Sequence, residues 1–318
     1  MYSKNFMKIQ ILMSTYNGGR YIRTQLKSIV AQTIKNKTLL IRDDGSTDNT
    51  IEIIQEYQKQ YPWIFYYQGK NIGVQKSFLE LIQNSDPEAD YIAFSDQDDE
   101  WLPEKLERAV ECLQKLGSAQ EPSVPLLYCS DKIIVGEQLE SLNVTVSRKV
   151  RKITFGNALV QNICTGCTAV LNRALLDLIR KHPVTEMKNL IMHDWWFYLT
   201  ASCFGKVFYD KEAYIRYRQH GANACGAMLS RRDLLAYRLN ELKKPRGEIY
   251  RQVELFLETY QELLCLPQYR KNKAMAEQLL RCKTKRWERL KLAVDFRYFR
   301  QKLSDDLVFR GVVLIGKL

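Results

Sequence analysis

A chain of 318 residues with 46% hydrophobic and 26% charged side chains can bury a globular core, which excludes intrinsic disorder and allows roughly two domains. The formal net charge of +12 is uneven: residues 227–318 carry 21 Lys or Arg against 11 Asp or Glu, and residues 1–226 carry 27 against 25. No apolar window of about 18 residues exists to span a bilayer, and the opening Met1-Tyr2-Ser3-Lys4-Asn5-Phe6-Met7-Lys8 lacks the apolar stretch of a signal peptide.

A cytoplasmic setting is therefore expected, with the eight cysteines reduced. Cys164-Thr165-Gly166-Cys167 forms a CxxC, but no second pair or histidines stand at zinc spacing, so it reads as tight packing.

Ile9-Gln10-Ile11-Leu12-Met13 is a short apolar run ending in the turn Ser14-Thr15-Tyr16-Asn17-Gly18-Gly19. Tyr21, Ile22, Gln25, Leu26, Ile29 and Val30 then follow helical spacing. A second strand, Thr38-Leu39-Leu40-Ile41, closes on Arg42-Asp43-Asp44-Gly45-Ser46. The helix that follows starts near Thr47, places Ile51, Ile54 and Tyr57 on one side, and must stop before Pro62. Ile64-Phe65-Tyr66-Tyr67 predicts a third strand, Val74 to Ile82 a helix, and Tyr91-Ile92-Ala93-Phe94 a fourth strand.

Strand, polar loop and helix in repetition imply an α/β fold with right-handed crossovers and a mainly parallel sheet flanked by helices. Ligands bind outside the carboxyl ends of such strands, and polar clusters stand there after three of these runs. No GxGxxG is present, so the dinucleotide fingerprint is absent. Beyond a composition boundary near Gly226, stretches rich in Leu, Lys, Arg, Glu and Tyr read as basic helices over residues 227–318.

Asp96, Asp98, Asp99 and Glu100 crowd into five residues after the fourth strand. Anions held together are stabilised by a cation, and hard oxygen ligands suit Mg²⁺ or Mn²⁺ carrying a diphosphate. Spacing alone is equally compatible with a solvated acidic turn that leads into the helix after Trp101-Leu102-Pro103.

Met13-Ser14-Thr15-Tyr16-Asn17, Asp43-Asp44-Gly45-Ser46-Thr47-Asp48, Asn71-Ile72-Gly73, Ser95-Asp96-Gln97-Asp98-Asp99 and His193-Asp194-Trp195-Trp196 occur in order. Together they resemble the inverting glycosyltransferases of family 2, over about residues 7–226. The resemblance implies a GT-A (Rossmann-like) catalytic domain at 1–226 and a metal-dependent enzyme. It implies that Ser14, Thr15 and Tyr16 line the nucleotide site, that Asp44 accepts from a pyrimidine imide, and that Lys76 and Asp96 lie near the nucleotide sugar. Asp98 would ligate Mn²⁺ or Mg²⁺, and Asp194 would be the catalytic base. The QxxRW motif of processive synthases is missing, so transfer of one or a few sugars is expected.

Tyr217-Arg218-Gln219-His220-Gly221-Ala222-Asn223 resembles a segment of bacterial rhamnosyltransferases of this family, which adds His220 as a metal or diphosphate ligand. That likeness implies dTDP-β-L-rhamnose as donor and a lipid-linked glycan as acceptor. The basic region 227–318 would then meet an anionic membrane surface at the inner face of the cell membrane. The other readings are transfer of a different sugar (galactose, glucose or an N-acetylhexosamine), a nucleic-acid-binding protein acting through the basic segment, and an inactive scaffold. Intact Asp98 and Asp194 argue against a scaffold, and no nucleic acid is expected as a partner.

Overall fold

The fold comes from a computed structural model, and the residues it describes are 7–117, 123–142, 150–221 and 247–318. The composition boundary near Gly226, and Ala222 and Asn223 of the histidine segment, lie outside them. The chain divides into two compact units, one drawn from 1–148, 164–180 and 206–227, the other from 149–163, 181–205 and 228–318.

The first unit is built on one eight-stranded sheet of order β3-β2-β1-β4-β7-β6-β8-β5. Its first half follows the alternation read from the sequence: β1 (Ile9–Thr15), α1 (Ile22–Val30), β2 (Lys37–Asp43), α2 (Thr50–Gln60), β3 (Ile64–Gln68), α3 (Val74–Gln83) and β4 (Tyr91–Ser95). Strands β1 to β4 are parallel to their neighbours among themselves. Ile11 and Met13 join Leu26 of α1 and Ile54 of α2 in one core cluster. On the next residue of the pleat, Leu12 is also fully buried, and Phe94 meets Phe78 of α3 edge-on at 5.8 Å. Burial on both faces explains why the central strands β1 and β4 are nearly continuously apolar rather than alternating.

The second half is mixed. β5 (Glu100–Trp101), α4 (Lys105–Leu116), β6 (Leu126–Val135), β7 (Val170–Asn172), α6 (Arg173–Lys181) and β8 (Lys206–Arg218) follow. β7 is antiparallel to β4 and to β6, β8 is parallel to β6, and β5 is antiparallel to β8 at the edge. Four strand spacings separate β4 from β5 in this order, about 19 Å across a flat sheet. Five residues of chain reach at most about 17 Å, so the sheet has to curl. The acidic loop between β4 and β5 closes that curl.

The second unit is helical: α5 (Phe155–Ala158), α7 (His193–Phe204), α8 (Glu248–Thr259), α9 (Gln261–Leu264), α10 (Arg270–Arg281), α11 (Arg286–Ala293) and α12 (Leu303–Leu314). Helix α7 is apolar nearly all round, the pattern of a core helix. Its Trp196 meets Phe256 at 5.6 Å and Tyr260 at 5.9 Å, and its Phe204 stacks on Phe256 at 5.9 Å.

A buried amide ties separate segments of this unit together. Gln301 accepts from the Arg151 N–H at 2.8 Å, and its Nε2 donates to Lys152 O at 2.7 Å and Asn157 Oδ1 at 2.9 Å. Asn157 in turn accepts from the Tyr198 hydroxyl at 2.8 Å and donates to Phe299 O at 2.8 Å. At the other end, α12 stops on Gly316, whose φ of 70° is the left-handed conformation that closes a helix C-terminus.

Candidate functional site

At the carboxyl ends of β1 and β2, side chains fold the loops before any ligand is considered. Asp43 Oδ1 accepts from the N–H groups of Gly45 (3.1 Å) and Ser46 (2.8 Å), and Asp43 Oδ2 accepts from Thr15 Oγ1 at 2.9 Å. Ser14 Oγ lies 2.6 Å from Ser77 Oγ on α3. Asp44 is buried against the Arg42 guanidinium and takes the N–H groups of Ile72 and Gly73 at 2.9 Å each. A carboxylate offers about four acceptor positions, so one remains for the imide donor expected there. Tyr16, 47% exposed, presents its ring to solvent, and Lys76 is exposed in the first turn of α3.

Gln97, between the two acids of the loop after β4, locks that loop to the β1 turn. Its Oε1 accepts from the Tyr16 N–H at 2.9 Å and its Nε2 donates to Tyr16 O at 3.0 Å. Gly18 leaves room for this clamp: a Cβ there would stand 2.2 Å from Gln97 Oε1.

Asp98 Oδ2 faces His220 Nε2 at 2.8 Å, and both side chains are largely buried. The imidazole stacks on Tyr21 with centroids 4.6 Å apart, and the Tyr21 hydroxyl donates to Glu137 Oε1 at 2.5 Å. Arg218 fixes the loop from the end of β8. Its N–H donates to Asp99 Oδ1 at 3.1 Å, its Nε to Asp98 O at 2.6 Å, and its Nη1 to Glu137 O.

Asp96, Asp99 and Cys167 bring one ligand atom each to within 4.8 Å of one another. Burial, followed by the charges of Asp98 and Asp96, pushes the Asp99 carboxyl well above the usual carboxylate range. Burial and the same kind of acidic neighbours push the Cys167 thiol up. Burial thus favours the neutral forms of both groups, the acid of Asp99 and the thiol of Cys167.

The carboxylates of this loop fit a divalent cation. Asp98 Oδ2 and His220 Nε2 converge at 2.8 Å, and Asp96, Asp99 and Cys167 form a second group of candidate ligands. Carboxylate oxygens suit Mg²⁺ and Mn²⁺ alike.

Asp194 belongs to the second unit, in the first turn of α7 rather than at its cap, which is Met192. Its Oδ1 accepts from Asn162 Nδ2 at 3.0 Å and from the Trp195 N–H at 2.7 Å. The adjacent His193 is buried, and desolvation lowers its pKa to about 3.

In the first unit the structure thus brings together Ser14, Thr15 and Asp44 at one set of strand ends and Asp96, Asp98 and His220 around the acidic loop. Sequence reasoning passed over Gln97, Arg218 and Cys167. Arg218 lay in the quoted histidine segment and Cys167 in the CxxC, but neither motif announces a bond to Asp98 or proximity to Asp99. His182, read as structural, packs against Tyr260 at 5.3 Å.

The sequence profile of Glycosyl transferase family 2 matches residues 10–126. The chain is 33% identical over 227 residues to the dTDP-rhamnosyl transferase RfbG of Shigella flexneri, covering 69% of this chain and 75% of that one. It is 30% identical over 173 residues to the UDP-Glc:alpha-D-GlcNAc-diphosphoundecaprenol beta-1,3-glucosyltransferase WfgD of Escherichia coli, covering 53% of this chain and 62% of the relative. Among solved structures, S. aureus TarS 1–349 in complex with UDP-GlcNAc superposes with a TM-score of 0.56 at 15% identity, over 98% of this chain and 91% of that chain.

Proposed function

Because this chain belongs to glycosyl transferase family 2 and has the GT-A fold, we propose that it moves L-rhamnose from dTDP-β-L-rhamnose to a hydroxyl of a lipid-linked glycan at the inner face of the cell membrane, with inversion. The observation that carries this reading is the Asp98–His220 pair at 2.8 Å beside the strand-end turns. The rhamnosyl donor is supported by the 33% identity to a dTDP-rhamnosyl transferase.

Ser14, Thr15 and Tyr16 bound the nucleotide site, Asp44 accepts from the base, and Lys76 and Asp96 stand toward the ribose and phosphates. Asp98 and His220 would hold the Mn²⁺ or Mg²⁺ ion. When bound, the cation offsets charge developing on the departing diphosphate. Asp194 accepts the proton of the acceptor hydroxyl as the new bond forms. A carboxylate is too weak a base to deprotonate a free hydroxyl beforehand, so proton transfer and attack proceed together. One base and no protein nucleophile give a single displacement, hence inversion. The WfgD relative favours a second reading with UDP-glucose as donor.

A panel of nucleotide sugars scored by thermal unfolding with Mn²⁺ decides between them, since a ligand at about 100 times its Kd adds ~2.7 kcal/mol. The largest shift is expected for dTDP-rhamnose; a larger one for UDP-glucose transfers the assignment. Asp98→Ala abolishes the Mn²⁺-dependent part of that shift. Asp194→Asn keeps the Asn162 contact and the shift but lowers kcat by about 10²–10⁴. Full turnover in either variant overturns the role given to that residue.

A further inference from the structure

We propose that helices α11 and α12 form a docking surface for an anionic phospholipid bilayer, with apolar side chains entering the acyl boundary and a cationic rim meeting the headgroups. The inference deepens the reading of a membrane-bound acceptor and rests on it.

The observation is an inverted surface. On α12 the inward side buries Asp306, Phe309 and Val313, as any packed helix does. The solvent side should then be polar. Instead Leu303, Leu307, Leu314 and Ile315 are 66%, 71%, 46% and 60% exposed, at spacings of four, eleven and twelve residues that fall along one arc of the helix. Gly311 lies on the same arc, with open space where a Cβ would be. Helix α11 repeats the pattern: Trp287, Leu290 and, just past its end, Val294 stand three and seven residues apart and are all exposed. Phe296, the most exposed large apolar side chain among the described residues, follows between the two helices.

The helices pack on one another through Arg310. Its Nη1 donates to Ala293 O at 2.6 Å, and its guanidinium lies 4.9 Å from the Phe296 ring centroid. Exposed large apolar side chains gathered on two packed helices mark an interaction site.

Charge selects the occupant. Residues 281–318 carry 11 Lys or Arg against 4 Asp or Glu. Three of those acids are already paired, Glu288 with Lys291, Asp295 with Arg297 and Asp306 with Arg310. Lys285, Arg286, Lys302 and Lys317 are exposed and leave the rim cationic, while Lys283 is paired with Glu254 of α8. A second copy placed face to face would set like charges against each other, which disfavours self-association. Nucleic acid would meet the cations but leave the Leu, Val and Ile side chains in water, because bases stack on aromatic faces and not on aliphatic ones. An anionic bilayer satisfies both parts, since aliphatic groups partition below the headgroups while Lys and Arg snorkel to the phosphates. No helix among the described residues is long and apolar enough to cross a membrane, so this contact lies along the surface.

The test is flotation of the full chain with vesicles of phosphatidylcholine alone and of phosphatidylcholine mixed with phosphatidylglycerol. Wild-type protein is expected to float with the mixed vesicles, and quenching by brominated acyl chains is expected to fall by the Trp287 contribution in Trp287→Phe. The double substitution Phe296→Ser/Leu307→Ser, at exposed positions, lowers partitioning by about tenfold or more with an unchanged thermal midpoint.

Failure of the wild type to float, or flotation undiminished in the double variant, overturns the proposal. So does a dimer in light scattering, or binding to an RNA oligonucleotide, that the double substitution abolishes. Donor hydrolysis is measured on the same preparations and stays unchanged in the variants. Its absence from wild-type protein that floats would count against the donor assignment and leave the surface standing.

Discussion

At the residue scale, buried titratable groups shape how folding responds to pH. His193 has its pKa lowered by burial from 6.5 to about 3, so the folded state keeps it neutral where the unfolded chain protonates it. Its contribution is intact above about pH 6.5 and is lost as pH falls from there toward 3, at about 1.4 kcal/mol per unit. Urea titrations at about pH 7 and pH 5 should show wild type losing ~2 kcal/mol more than His193→Gln; parallel losses would show that the imidazole is charged when folded. Asp98 and His220 were legible because acids crowded after an apolar strand, and a histidine in a familiar segment, are visible in one dimension. Gln97 was not, since nothing in an amide between two aspartates reveals that both its ends reach the backbone of Tyr16.

At the scale of elements, the boundaries of β1, β2, β3, α3 and β4 fall within one or two residues of those read from the sequence, because each strand is a compact apolar run and each loop carries its own turn residues. The helix read from Thr47 begins at Thr50 instead, after Asp48 turns back to accept from the Gly19 N–H at 2.9 Å. Beyond β4 the pattern gives less. β7 is three residues long, and β6 carries Ser130, Asp131 and Lys132 through register shifts against β8, so neither shows a clean period.

Helical packing in the second unit depends on the Gln301 amide, which no periodicity signals. Replacing it with Leu leaves the Arg151 N–H, Lys152 O and one Asn157 oxygen contact unmet in a buried place. A loss of about 1–3 kcal/mol is expected, read as a lower urea midpoint at unchanged slope; an unchanged midpoint would show that water replaces the amide.

At the scale of the molecule, composition marks where the basic region begins, but contacts define what folds with it. Residues 149–163 and 181–205 cluster with 228–318, and Trp196 and Phe204 find their apolar partners in Phe256 and Tyr260. Truncation after Gly226 should therefore strip α7 of its cover and yield aggregated protein without a cooperative melt. A sharp, reversible transition in calorimetry of that fragment would contradict this.

The curl of the sheet has its own consequence for ligand capture. Because the Asp96 to Asp99 stretch is stretched between an inner strand and the far edge, and pinned midway by Gln97, it would have few alternative shapes to surrender to the proposed cation. Affinity for that ion would then escape the ordering cost that a floppy acidic loop would impose.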